Sequence, residues 1–105
     1  MCSLFGLIDF KECLSTHTKN KILNTLAGEC QVRGTDATGI AYNFNDRLRI
    51  YKRPIPARKM KIHIPHGVNA VMGHTRMTTQ GNAQFNQNNH PFLGKVDGDS
   101  FALAH

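Results

Sequence analysis

The chain has 105 residues, 40% of them hydrophobic and 19% charged, a balance that suits one small globular domain and excludes a disordered segment or two separate domains. Lys and Arg outnumber Asp and Glu by 13 to 7, a formal net charge of +6. No apolar run approaches the ~20 residues that span a bilayer, and the N-terminus lacks the basic-then-apolar stretch of a secretory signal, so no membrane partner and a cytoplasmic location are expected.

In chain order, residues 3–8 are a short apolar run that reads as a buried strand starting almost at the first residue. Over residues 18–31, Ile22, Leu23, Leu26, Ala27 and Cys30 recur at spacings of three and four, the stripe of an amphipathic helix that turns Cys30 to the core. Ser15, Thr16 and Thr18 are its available caps. Gly34 and Gly39 bracket a polar turn, after which residues 40–44 and 48–51 read as a hairpin joined at Asn45 and Asp46. Residues 55–67, broken by prolines, read as a linker or one short helical turn. A buried strand at 70–72 leads into Gly73, His74, Thr75 and Arg76. The stretch that follows is poor in aliphatic side chains and rich in Thr, Gln, Asn and His, a candidate binding loop. A last strand covers residues 101–104.

Much of the positive charge crowds into residues 47–61, where Arg47, Arg49, Lys52, Arg53, Arg58, Lys59 and Lys61 fall together. The segment has one aromatic, Tyr51, and Pro54 and Pro56 interrupt any continuous basic helix, so a solvated face is expected and nucleic acid is not; contact with a polyanion or a phosphate-bearing substrate is the alternative. Cys2, Cys13 and Cys30 are an odd set with no close pair at metal-ligand spacing, so reduced thiols are expected, with neither a disulfide framework nor a metal site.

Cys2 stands apart. Its small side chain permits removal of Met1, leaving one residue that carries both a thiol and a free α-amine. Such groups titrate within about one pH unit of each other, so the amine can accept the thiol proton directly or through a water, and nucleophile and base become one residue. By position alone, Cys2 reads equally well as an ordinary small residue near a strand start.

Three segments taken together change that balance: residues 1–8 (MCSLFGLI), 33–40 (RGTDATGI) and 73–81 (GHTRMTTQG), the last followed by Asn89, His90 and Pro91. Each is weak alone, but in this order and spacing the chain resembles the class II glutamine amidotransferases, the N-terminal-nucleophile glutaminases. The resemblance runs the length of the chain, because residues 102–105 look like the strand leading into the family's His-Asn-Gly motif. It implies an α+β fold, an αββα sandwich of N-terminal-nucleophile hydrolase type, incomplete here. Cys2 would form a γ-glutamyl thioester, and Arg76 would pair with the substrate α-carboxylate, a match of planar fork to carboxylate that lysine cannot make. An internal salt bridge is the other reading of Arg76.

Thr79 and Gln80 match positions where the family loop contacts glutamine, largely through backbone. Arg33 and Asp36 would support the nucleophile and substrate loops, although a purely structural turn accounts for Gly34 and Gly39 equally well. His74 and His90 read as loop-organising hydrogen bonders, since the amine already supplies a base. No cofactor is implied. Ser3, Met77 and Gln80 depart from the family's common residues, pointing to a divergent, stand-alone branch.

The family's oxyanion donors and amine-binding acid would follow His105. Loss of even one oxyanion donor costs ~100- to 1000-fold in rate, so this stretch alone is expected to be inactive, and a C-terminal part or partner domain is expected to complete it and bind the ammonia acceptor. Two alternatives stand beside this reading: a related amidohydrolase acting on a γ-glutamyl compound, and a non-catalytic relative whose basic segment binds a polyanion.

Overall fold

The computed structural model describes residues 2–78 and 81–105. These described residues are α+β, with one α-helix and two antiparallel sheets. Strands β1 (Ser3–Ile8), β2 (Ala37–Phe44), β3 (Arg47–Arg53) and β4 (Ala70–Arg76) form a four-stranded sheet in the order β1-β4-β2-β3, antiparallel at every junction. Asn45 and Asp46, at φ 52° and 59°, make the tight β2–β3 turn, where short polar side chains tolerate left-handed backbone. Helix α1 (Thr16–Cys30) begins at Ser15, whose hydroxyl accepts the Thr18 amide at 3.1 Å.

The pleat of the sheet sorts its side chains onto two faces. On one, Phe5, Ile40 and Val71 meet Leu23 and Ala27 of α1 in the main apolar core. Cys30, half-buried, packs on the edge of this core, and burial raises its thiol pKa.

Residues 55–67 are not a linker. A 3-10 turn at Ala57–Lys59 is followed by extended chain in which Met60, Ile62 and Ile64 are buried while Lys61 and His63 are exposed. Two helix side chains hold it as a neighbouring strand would. Asn24 donates to the Ile62 carbonyl and accepts its amide, both at 2.8 Å, and Asn20 does the same for Ile64 at 3.3 and 2.7 Å. Asn residues four apart lie on one helix face, so they meet alternate residues of an extended chain. The period-two pattern at Met60, Ile62 and Ile64 is the sequence signal that the prolines obscure.

The second sheet is a hairpin of β5 (Phe92–Val96) and β6 (Asp99–Leu103), turned at Asp97 and Gly98. Only β6 is expected from sequence. β5 escapes notice because Gly94 interrupts it, and that glycine is covered by its cross-strand neighbour: a Cβ there would strike the Phe101 ring. β6 lies on the sheet face opposite α1, where Ile8, Ala41, Ala70 and Met72 meet Phe101 and Ala102 across a groove of about 310 Å³. No helix among the described residues is long and apolar enough to cross a membrane.

Asp9 ends β1 and anchors α1. Its carboxylate accepts the amides of Cys13 and Leu14, each at 2.9 Å, and lies 3.5 Å from the buried Lys19 ammonium. The two amide bonds, with Lys19 behind them, lower its pKa. A carboxyl depressed in the folded state stabilises above its unfolded value, and that contribution disappears as pH falls through the folded one. Asp9→Asn is therefore expected to lower stability at neutral pH and flatten the loss of stability below about pH 4, as read from urea midpoints across an acid series.

Candidate functional site

The face of the sheet away from α1 carries the candidate site. Pairing places Leu4 beside His74, His74 beside Gly39, and Gly39 beside Lys52, so these four form one row across the sheet. Gly39 is the gap in that row: a Cβ there would collide with the His90 carbonyl, so residues 90–91 can lie across the sheet between His74 and Lys52 only because this position is glycine. The His90–Pro91 peptide is cis. His90 stacks on His74 with ring centroids 4.3 Å apart and planes 12° from parallel, and it touches Phe92 and His105 at 4.3 and 4.6 Å.

The hydrogen bonds specify the tautomers. His74 Nε2 donates to the His105 carbonyl at 2.8 Å, and the His105 amide donates to His90 Nδ1 at 3.1 Å. A ring that accepts at Nδ1 is neutral, which fixes His90; the bond from His74 Nε2 fixes only where that ring carries a proton. Burial first, then surrounding positive groups, pushes the His90 pKa down to about 4, and burial also lowers that of His74. His74 Nδ1 is buried with no hydrogen-bond partner among the described residues.

Arg76 ends β4 on the same face as His74 and is 7% exposed. Its Nη1 donates to Asn89 Oδ1 at 2.9 Å. Asn89 is itself held firmly: its Nδ2 donates to the Ala83 carbonyl at 2.8 Å and to Asn86 Oδ1 at 3.1 Å. Beneath it, Lys52 Nζ donates to the carbonyls of Asn89 at 2.6 Å and Pro91 at 3.1 Å and sits 5.3 Å from the centre of the Phe92 ring. Burial lowers the Lys52 pKa. Asn86 closes the loop by donating to the Lys52 carbonyl at 2.7 Å. Lys52 is therefore not part of a solvated face, as expected from sequence, but a half-buried strut under the loop that positions Arg76.

Cys2 immediately precedes β1, where Ser3 pairs with Thr75, so the next step along the ladder brings Cys2 alongside Arg76. Its Sγ lies 3.8 Å from the Met77 carbonyl. Cys2, Arg76, Met77, Gly81, Gln87, Asn88, His90, Phe92 and His105 together line a cleft of about 420 Å³. A neighbouring hollow of about 590 Å³, lined by Thr35, Asp36, Thr78 and residues 81–84, carries no nucleophilic thiol.

Asp36 supports this region from outside. Its Oδ2 accepts the Thr78 amide at 2.7 Å and its own amide donates to the Arg76 carbonyl at 3.0 Å, and the bond from Thr78 lowers its carboxyl pKa. The approach is close because Gly34 lies against Arg76, where a Cβ would come within 2.5 Å of backbone. Arg33 is exposed beside this turn. Thr79 and Gln80 lie outside the described residues.

The fold thus brings Cys2, Arg76 and His90 to one cleft, sets His74 beneath it, and places Asp36 on the loop that leads out of it. Sequence reasoning assigned no site role to Lys52, Asn86 or Asn89, although Asn89 stands in the motif with His90. Parity is the signal that would have found the first: Arg47, Arg49, Tyr51 and Arg53 share one face of β3, which leaves Lys52 with Leu48 and Ile50 on the other. No family model matches the chain, and neither the curated proteins nor the solved structures include a match.

Proposed function

We propose that the protein is an N-terminal-nucleophile amidohydrolase of class II glutamine amidotransferase type, converting the side-chain amide of glutamine to a carboxylate and releasing ammonia. What carries the reading is that Cys2 and Arg76, far apart in sequence, line the same cleft. With Met1 removed, the α-amine of Cys2 takes the thiol proton and the thiolate attacks the amide carbon. The C–S bond forms, the C–N bond breaks, and the proton leaves with ammonia. Water then opens the thioester and restores the thiol.

Arg76 holds the substrate α-carboxylate, while Lys52 and Asn89 keep its guanidinium in place. Neutral His90 and His74 shape the wall and leave proton transfer to the amine. Asp36 fixes the start of the substrate loop through the Thr78 amide, and Arg33 lies on the turn beside it; Thr79 and Gln80 follow in sequence, at the positions where the family contacts glutamine. An αββα sandwich suits a sheet with α1 on one face and β6 across a groove on the other.

Intact and peptide mass spectrometry of the natural gene product, before and after a glutamine-mimicking diazoketone, tests the proposal. The expected result is loss of Met1 and one adduct on Cys2, with Cys13 and Cys30 unmodified. Retained Met1 with no adduct would sink it. Comparing turnover of glutamine with that of γ-glutamyl peptides, which carry the same α-carboxylate, separates a glutaminase from a γ-glutamyl hydrolase.

A further inference from the structure

The sheet face that α1 and residues 60–64 cover has an uncovered margin at the edge strand β3. Alternation puts Arg47, Arg49, Tyr51 and Arg53 in one exposed row there. Tyr51 pairs with Ile40 and Arg49 with Tyr42, so the phenol of Tyr42 stands in the same layer. The extended segment alongside turns Lys61 and His63 outward. Between the two runs lies a hollow of about 270 Å³, lined by Ile40, Tyr42, Tyr51, Lys61, Ile62 and His63. It offers two phenols and an imidazole around a space that admits a nucleobase, with cations on its rim.

The charge of this margin is uncompensated. Residues 47–96 contain no Asp or Glu. Among the described residues none of Arg47, Arg49, Arg53 or Lys61 pairs with a carboxylate, and the nearest acid in sequence, Asp46, sits in the β2–β3 turn at the far end of the row. A row of cations without carboxylate partners is a polyanion-binding feature; aromatic rings recessed between two such runs narrow the ligand to one that brings flat rings at intervals along a phosphate chain. A duplex keeps its bases stacked and cannot fill the hollow, and a lipid surface would use the charges and leave the rings idle.

We propose that this margin binds single-stranded nucleic acid, with one base seated between Tyr42, Tyr51 and His63 and the flanking phosphates on Arg49, Arg53 and Lys61. The surface lies on the opposite side of the sheet from Cys2 and Arg76, so this proposal and the amidohydrolase reading stand or fall separately.

The test is fluorescence anisotropy of a labelled oligouridylate of about twelve nucleotides titrated with the intact protein. With phosphate contacts at Arg49, Arg53 and Lys61 and about −0.7 each in the log-log salt slope, affinity is expected to fall roughly 20-fold between about 50 and about 200 mM salt. Tyr51→Ala is expected to weaken binding about 5- to 150-fold, the range of a lost base stack, and Tyr51→Phe to bind as the parent does. The pair Arg49→Gln and Arg53→Gln is expected to weaken binding at least about 10-fold, while Lys11→Gln with Lys95→Gln, the same charge loss elsewhere, changes it little.

The proposal is overturned by absence of binding at about 50 mM salt, by equal losses in the two double variants, or by indifference to Tyr51→Ala. Phosphatidylserine vesicles that outcompete the oligonucleotide in a Tyr51-independent manner would likewise assign the charges to a lipid surface instead.

Discussion

Replacing Arg76 with methionine is expected to slow labelling of Cys2 by a glutamine-mimicking diazoketone roughly 100- to 20,000-fold at limiting reagent. Two charge-assisted hydrogen bonds to a carboxylate contribute about 1.5 to 3 kcal/mol each, and each 1.4 kcal/mol is a factor of ten. Because the α-carboxylate is remote from the amide carbon, the loss should fall on the half-saturating reagent concentration, with the limiting rate nearly kept. Arg76→Lys retains the charge without the planar fork and should recover only part of it. A general thiol reagent, indifferent to a carboxylate clamp, should label Cys2 in Arg76→Met as fast as in the parent. If both reagents slow equally, the variant has disturbed the cleft and the clamp assignment fails. Urea unfolding run in parallel measures what is lost when Asn89 Oδ1 no longer receives Nη1.

Leu23→Ala is expected to cost about 2 to 5 kcal/mol, the usual range for a leucine truncated inside a packed core. Leu23 is 0% exposed and sits in one cluster with Phe5, Ile40 and Val71 from three strands and with Ile62 and Ile64 from the extended segment. The adjacent helix positions Asn20 and Asn24 are committed to the backbone of that segment, so α1 cannot slide to fill the void without breaking four hydrogen bonds. A fall in melting temperature of roughly 10 to 20 °C is expected by calorimetry. Loss of less than about 1 kcal/mol would mean that the helix repacks and that the asparagine straps do not hold it in place.

These expectations share one physical basis. Both faces of the four-stranded sheet are covered, one by the core under α1 and the other by the loop that walls the cleft, and the pleat decides which residue faces which. Thr75 turns toward α1 and donates to the Cys30 carbonyl, while its neighbours His74 and Arg76 turn to the cleft. A register shift of one residue would exchange them.

Local chemistry made much of this readable in advance. β1, the hairpin at Asn45 and Asp46, the cap at Ser15 and the stripe of α1 follow from interactions within a few residues, which the order of side chains records directly. The α+β class follows from those elements. The prominence of Cys2 and Arg76 also came from sequence, through side-chain type, position and motif order. What required tertiary structure involves partners distant along the chain: Asn20 and Asn24 recruiting residues 62–64 to the core, Gly39 making room for His90, and Lys52 reaching the carbonyls of Asn89 and Pro91. In each case one partner is a backbone group, which every residue carries and no sequence pattern marks, so only the folded arrangement could reveal the pairing.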